Sequence, residues 1–252
     1  MKKILLISIF LILTLTIYSK SDIANVWDSA VSKYSVADYN GALNRFKSLE
    51  SEGYNSKELN YNIGNCYFKL KEYGYAVLYF ERALKFDPSD KDIISNLELV
   101  REFTIDKIDV LPEFILNTWI SDLNYSLSSS MWSLFVLVFT ISLALLIILF
   151  RNLQKHSLKK LTFALSIVSF VLMIISFYFS VKQISDFNTN NFGVVINSVV
   201  SVKSSPDQSA KDLLILHEGT KVKINDTLSG WKRVELSDGR EGWLKQTELE
   251  VI

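Results

Sequence analysis

Side chains able to do chemistry are few and widely separated in this 252-residue chain. Its one cysteine, Cys66, cannot close an intrachain disulfide and stands in a helical pattern, where a small buried thiol fits. The two histidines are His156, in a short basic stretch, and His217, in a region of β-like alternation. A Cys66–His217 pair has the residue types of a nucleophilic dyad, but no catalytic motif surrounds either residue. The sequence holds no phosphate-binding glycine loop, no Gly-x-Ser-x-Gly elbow and no His-Glu-x-x-His. Its acids are dispersed as solvated faces. These residues point away from an enzyme, and neither a metal nor a cofactor is expected. What recurs at fixed spacing is aromatic, and aromatic side chains are the material of binding surfaces.

The elements that position those aromatics repeat with a period of 34. Residues 38–49, DYNGALNRFKSL, overlay residues 72–83, EYGYAVLYFERA. Tyr39, Ala42, Phe46 and Leu49 have the spacing of Tyr73, Ala76, Phe80 and Ala83, which places each set on one helical face. Gly64, Tyr67, Tyr73, Ala76, Phe80, Ala83 and Pro88 stand at the signature positions of a tetratricopeptide (TPR) repeat, a helix hairpin that must stack on neighbours to bury its apolar face. The first unit is less regular: Ala30 takes the position of Gly64, and Tyr34 lies one place beyond that of Tyr67. Residues 91–103 read as a capping helix, so the repeat region spans 22–103. In the repeat's register a partner-binding groove would be lined by Trp27 and Tyr34, then by Tyr61, Asn65, Phe68 and Lys69. The alternative places these aromatics between the helices. No cluster of Lys and Arg suited to clamping a free carboxylate is present.

The formal charge is zero from 27 basic and 27 acidic residues, while the mean hydropathy of +0.20 is high for a chain with 21% charged residues. The charges are therefore unevenly spread. Residues 4–19, 123–150 and 161–181 carry none. The first stretch follows Met1-Lys2-Lys3 and reads as an export signal over 1–19, cleaved after Ser19 or retained as an anchor. The segments 131–150 and 161–181 are long enough for two transmembrane helices, and neither holds an ionisable residue of the kind that marks a transport path. Ser166, Ser169, Ser176 and Ser180 form a small-residue stripe for helix packing. Between the spans, residues 151–160 carry four Lys or Arg and no acid, which predicts a cytoplasmic loop with both flanking regions outside. In the linker 104–130, Ile115, Leu116, Trp119, Ile120 and Leu123 follow helical spacing. They suit a helix at the membrane interface, with Trp119 and Trp132 as interfacial aromatics, or one packed on the last repeat.

From residue 192 to 252 the pattern is short strands and turns. Strands are predicted over 194–202, 221–225, 232–236 and 241–244, within a small barrel of five strands. Val202-Lys203-Ser204-Ser205-Pro206, Gly230-Trp231 and Gly242-Trp243-Leu244 resemble a bacterial SH3 (SH3b) domain. Trp231 and Trp243 either fill its core or form a ligand shelf. The basic residues are interspersed with acids, so nucleic-acid binding has no support.

The whole arrangement reads as a multidomain membrane protein: an all-α TPR repeat, two transmembrane helices and a small all-β SH3-like barrel. In that order it resembles the BatE family, exported TPR proteins of bacterial aerotolerance operons. The resemblance implies an inner-membrane protein with periplasmic domains. It also implies partners among von Willebrand A-domain membrane proteins and an associated MoxR-type ATPase. Two functions follow as expectations: a scaffold acting through the repeat groove, or a sensor whose barrel holds peptidoglycan peptides.

Overall fold

The computed structural model describes residues 23–108, 115–189 and 191–252. The expected export segment lies outside them. The described residues form two compact units, one joining 23–108 with 191–252 and the other comprising 115–189.

In the first unit, residues 23–35 are helical (α1), followed by α2 (Tyr39–Ser51), α3 (Lys57–Lys69), α4 (Tyr73–Phe86) and α5 (Lys91–Phe103). Side-chain caps start three of these helices: Asp38 accepts from Gly41 N, Ser56 from Leu59 N, and Asp90 from Asp92 N and Ile93 N. The 34-residue period extends to the backbone of the turns. Ala37 and Lys71 both adopt a left-handed conformation, at φ 62° and 65°. Each turn carries the same pair of bonds, Asp38 N to Lys33 O with Ala37 N to Tyr34 O, and Glu72 N to Tyr67 O with Lys71 N to Phe68 O. Ala42, Phe46 and Leu49 on α2, and Ala76, Phe80 and Ala83 on α4, are fully buried, as the repeat pattern requires. Gly64 is where the hairpin closes tightest, because a Cβ there would sit 2.9 Å from the Phe80 ring.

The remainder of this unit is a seven-stranded antiparallel sheet. Its strands are β1 (Phe192–Val195), β2 (Val199–Lys203), β3 (Asp212–His217), β4 (Lys221–Leu228), β5 (Trp231–Glu235), β6 (Glu241–Lys245) and β7 (Leu249–Val251), in spatial order β3-β2-β6-β5-β4-β1-β7. The expected strand over 194–202 breaks at residues 196–198. Its first part pairs with β4 and β7, and its second with β3 and β2's other neighbour β6, so one run serves two places in the sheet. β3 and β7 were not anticipated, and the count rises from five to seven. Ser229 and Gly230, at φ 49° and 84°, form the two-residue turn between β4 and β5. Val195, Val200, Val202, Leu216, Val222, Val234, Leu236, Leu244 and Leu249 make the sheet's own core, with Ile108 against it.

Helices and sheet also share buried contacts. Val194 lies in the helical core and Ile252 packs on it. Glu81, only 5% exposed, accepts from Arg101 of α5 at 2.6 Å and from Lys221 of β4 at 2.7 Å. Arg82 donates two hydrogen bonds to Val251 O, and Lys85 one to Ile252 O. After α5, Asp106 accepts from His217 N, the His217 ring and the Thr220 hydroxyl at 2.6–2.8 Å. Gly219, at φ 87°, lies so close to Thr104 that a Cβ would fall 2.5 Å from its methyl group. The segments expected as separate modules therefore pack as one unit.

The second unit contains α6 (Ile115–Tyr125), α7 (Ser129–Asn152) and α8 (His156–Asn188). α7 and α8 pair lengthwise as a hairpin, and both are long and apolar enough to cross a membrane. Ser169, Ser176 and Ser180 of the serine stripe are buried. Ser169 donates to Phe139 O, and Ser180 meets Ser133 at 2.8 Å. Ser166 is half-buried and bonds within its own helix. Trp132 is buried against Phe179 with its indole N–H donating to Asn124 O.

Candidate functional site

α1 and α3 are the first helices of two successive hairpins and α5 follows them in the same register, with side chains bridging α3 and α5 along one face. The Asn96 amide of α5 donates to the Tyr61 hydroxyl of α3 at 2.6 Å. Phe68 of α3 meets Phe103 of α5 edge-on at 5.7 Å, and Phe103 stacks on Tyr73 at 5.1 Å. On α1, Tyr34 is within electrostatic reach of Cys66 and Tyr61. Burial first, then those neighbours and Tyr39, push its phenol above the ordinary value.

The six residues placed here by sequence do not play equal parts. Trp27 packs edge-on against Phe46 at 5.3 Å and Tyr34 edge-on against Tyr39 at 5.2 Å, while Tyr61 lies tilted against Phe80 at 5.8 Å, each of the three half-buried. These three form the floor of the face, continuous with the helical core. Phe68 and Asn65 are half-buried as well, and Lys69 is exposed with its ammonium 6.0 Å from the Phe68 ring. The most accessible apolar groups on the same helices are Val31, Leu99 and Phe103, exposed by 45%, 41% and 51%. Sequence reasoning passed over them. Leu99 and Phe103 lie 34 residues beyond Asn65 and Lys69, and Val31 lies 34 before Asn65, so the register already used would have found them. The helix assigned to capping thus extends the face.

The face is apolar and aromatic with little charge, suited to covering a partner's apolar side chains. Cys66 lies beneath it, fully buried, and burial pushes its thiol up to about 12, which keeps it protonated. His217 is held by Asp106. Burial opposes ionisation of Asp106, but the bonds from Thr220 and from the backbone and ring of His217 outweigh it and hold its carboxyl below the usual range. Both groups suggested as a dyad are thereby committed to structure. Among the described residues no group of three or more His, Cys, Asp or Glu is placed to hold a metal ion.

On the sheet, neither Trp231 nor Trp243 belongs to the buried core. Both are half-exposed. The register pairs Trp231 with Lys245, Arg233 with Trp243 and Lys203 with Trp243, so all five side chains share the outer face. Lys245 Nζ stands 5.9 Å over the Trp231 ring. Lys203 and Arg233 are neutralised by Asp212 and Glu241. This surface is a polar, nearly neutral shelf with two indoles on it.

Compared with known proteins, residues 58–90 match the family model of the tetratricopeptide repeat, which covers most of α3 and all of α4. No curated protein matches the chain. The matched hairpin, continued by α1–α2 on one side and α5 on the other, makes residues 23–103 a helical repeat of the kind that binds proteins.

Proposed function

We propose that this chain is a membrane-anchored, non-enzymatic scaffold whose repeat face holds protein partners of the cell envelope. The observation carrying the proposal is the matched repeat flanked by helices that prolong its face, with Val31, Leu99 and Phe103 open to a partner. Anchoring is supported by α7 and α8. Their apolar side chains, among them Leu137, Ile141, Leu145, Phe163, Phe170 and Phe177, face outward. A buried core hairpin would cover them, and water would not tolerate so large a patch. The basic loop 151–160 supports a cytoplasmic turn with the repeats and sheet on the opposite side. Because residues 23–108 and 191–252 pack together, the chain between them must cross a membrane an even number of times, as two spans do.

The resemblance to the BatE family extends this reading to periplasmic repeats in a bacterial inner membrane. Its partners would be von Willebrand A-domain membrane proteins, linked to a MoxR-type ATPase and to oxygen or stress tolerance. The test is photocrosslinking in intact membranes, wild type against Val31→Ser/Leu99→Ser. These side chains are exposed, so the variant keeps its fold. Loss of crosslinked envelope proteins is the expected result, and an unchanged partner set would refute the repeat face as the binding site.

A second reading is favoured by the outer-face position of Trp231 and Trp243, which suits an SH3b-type shelf for peptidoglycan peptides. Retention of the full chain on isolated cell wall, abolished by Trp231→Ala/Trp243→Ala, would support it. Equal retention of wild type and variant would exclude it.

A further inference from the structure

We propose that α6 lies in the membrane interface with its Trp119–Ile120–Leu123 face immersed in lipid, an inference that rests on α7 and α8 being bilayer spans. α6 is tied to the hairpin by its C-terminal turn. Asn124 is fully buried, and its carbonyl accepts from the Trp132 indole and from Gln183 of α8. Gln183 also donates to Leu127 O, and the Tyr125 hydroxyl donates to Asp186 at 2.8 Å. These bonds satisfy the Asn124 and Leu127 carbonyls at the helix end from within the protein, while the buried Asn124 amide nitrogen has no partner.

The ties also orient α6. At about 100° per residue, Trp119, Leu123 and Ile120 fall within an arc of roughly 100°, turned well away from the mean direction of Asn124 and Tyr125. All three are open, Trp119 by 63%. The face is therefore held outward.

Depth comes from α8. Its uncharged run ends at Val181. The anchor points Gln183 and Asp186 lie two and five residues further, or about 3 and 8 Å beyond it along the helix. Amphipathic helices in the interface bury their apolar face about 5–10 Å into the headgroup and acyl boundary. α6 is attached just outside the end of the uncharged run, a height from which its apolar side chains reach back to that boundary. Met131 and Leu134, exposed in the first turns of α7, continue the apolar surface towards the hairpin's sides. Trp119 is moreover the side chain type that concentrates at this depth. Asp122 is the sole charged residue in α6, so the attraction is apolar and anionic headgroups add nothing to it.

The test uses the full chain with Cys66→Ala, reconstituted in phosphatidylcholine vesicles, with nitroxide labels at Trp119→Cys, Leu123→Cys, Asp122→Cys, Ile141→Cys and Val171→Cys. Labels at 119 and 123 should report oxygen-accessible depths within about 10 Å of the phosphates. Label 122 should be water-accessible, and labels 141 and 171 near the bilayer centre. Replacing a quarter of the lipid by phosphatidylglycerol should leave the depths of 119 and 123 unchanged. Water-accessible labels at 119 and 123, with 141 and 171 deep, would overturn the inference while leaving the spans intact. Shielding of 119 and 123 from both oxygen and water would overturn it in favour of protein packing, by a second copy or another chain. Water-accessible labels at 141 and 171 would refute the spans themselves. A check independent of cysteine variants compares wild type with Trp119→Phe in brominated lipids. The Trp119 emission should be quenched more by bromines near the headgroup than by bromines deep in the chain, and the reverse order would also overturn the proposal.

Discussion

Replacing Glu81 by alanine should loosen the sheet from the repeats more than any other single charge removal. Its carboxylate is 5% exposed and accepts two short bonds, from Arg101 and Lys221, tying α4 to α5 and β4 at once. A hydrogen bond to a charged group contributes about 1.5–3 kcal/mol, and breaking a fully buried pair costs about 3–5. Here the partner side chains are 47% and 36% exposed. They recover water when the carboxylate is lost, which brings the total for Glu81→Ala to about 2–3 kcal/mol. For a unit of this size that corresponds to about 5–10 °C in Tm. Glu81→Leu should destabilise less than Glu81→Ala, because it removes the buried charge while keeping volume against Val77 and its neighbours. In a double-mutant cycle, Glu81→Ala and Lys221→Ala should show coupling of about 1 kcal/mol. The assay is urea pulse proteolysis of the full chain in detergent, with thermal unfolding in parallel. A Tm shift below about 2 °C for Glu81→Ala, or coupling under about 0.3 kcal/mol, would refute the idea that this carboxylate joins helices and sheet.

Three further outcomes are expected. Because the folded pKa of Asp106 is depressed, its stabilisation is complete above the unfolded carboxyl pKa near 4 and is lost as pH falls through the lower folded value. Asp106→Asn should therefore destabilise at pH 7 and flatten the decline in stability below about pH 4, measured by urea midpoints against pH. Cys66 should resist maleimide at pH 8 in the native chain and react fully in denaturant; rapid native labelling would contradict its burial and raised pKa. Ala37→Gly and Lys71→Gly, which relieve left-handed strain at φ 62° and 65°, should each stabilise by up to about 1 kcal/mol, and a loss of stability would refute that account of the turns.

Much of the repeat region was legible because its information is local and periodic. Alanine or glycine every 34 residues and an aromatic on the same face leave a pattern within a few residues, whereas the caps at Asp38, Ser56 and Asp90 emerge only from the structure. β3 was missed because Asp212-Leu213-Leu214-Ile215-Leu216-His217 reads as a continuous apolar run rather than an alternation, with its exposed members on an edge strand. β7 is three residues long and earns its place only by pairing with β1. The union of helices and sheet was invisible for a different reason. Glu81 and Lys221 are 140 residues apart, and Asp106 and Thr220 are 114 apart; an ion pair between distant segments has no signature in either one. The candidate face lay between these extremes. Its floor was named from the register, while Leu99 and Phe103 were overlooked because α5 had been assigned to covering the array rather than extending it.

Since β7 seats on α4, the chain's first-made helices wait for its last-made strand. At roughly 5–20 residues per second, the ribosome takes about 7–30 s to travel from α5 to β7. In that interval the whole α7–α8 hairpin is made, and Gly74, Val77, Glu81 and Arg82 on α4 lack the sheet residues that later pack on them. The order of events is thereby imposed by connectivity. The repeats can form early as helices, but their fourth helix acquires its neighbours in the sheet only after both helices of the hairpin have been made. A chain stalled before that strand is made would expose this unfinished seam of α4 to chaperones and proteases, so that an incomplete C-terminus is recognised through a defect in the repeats.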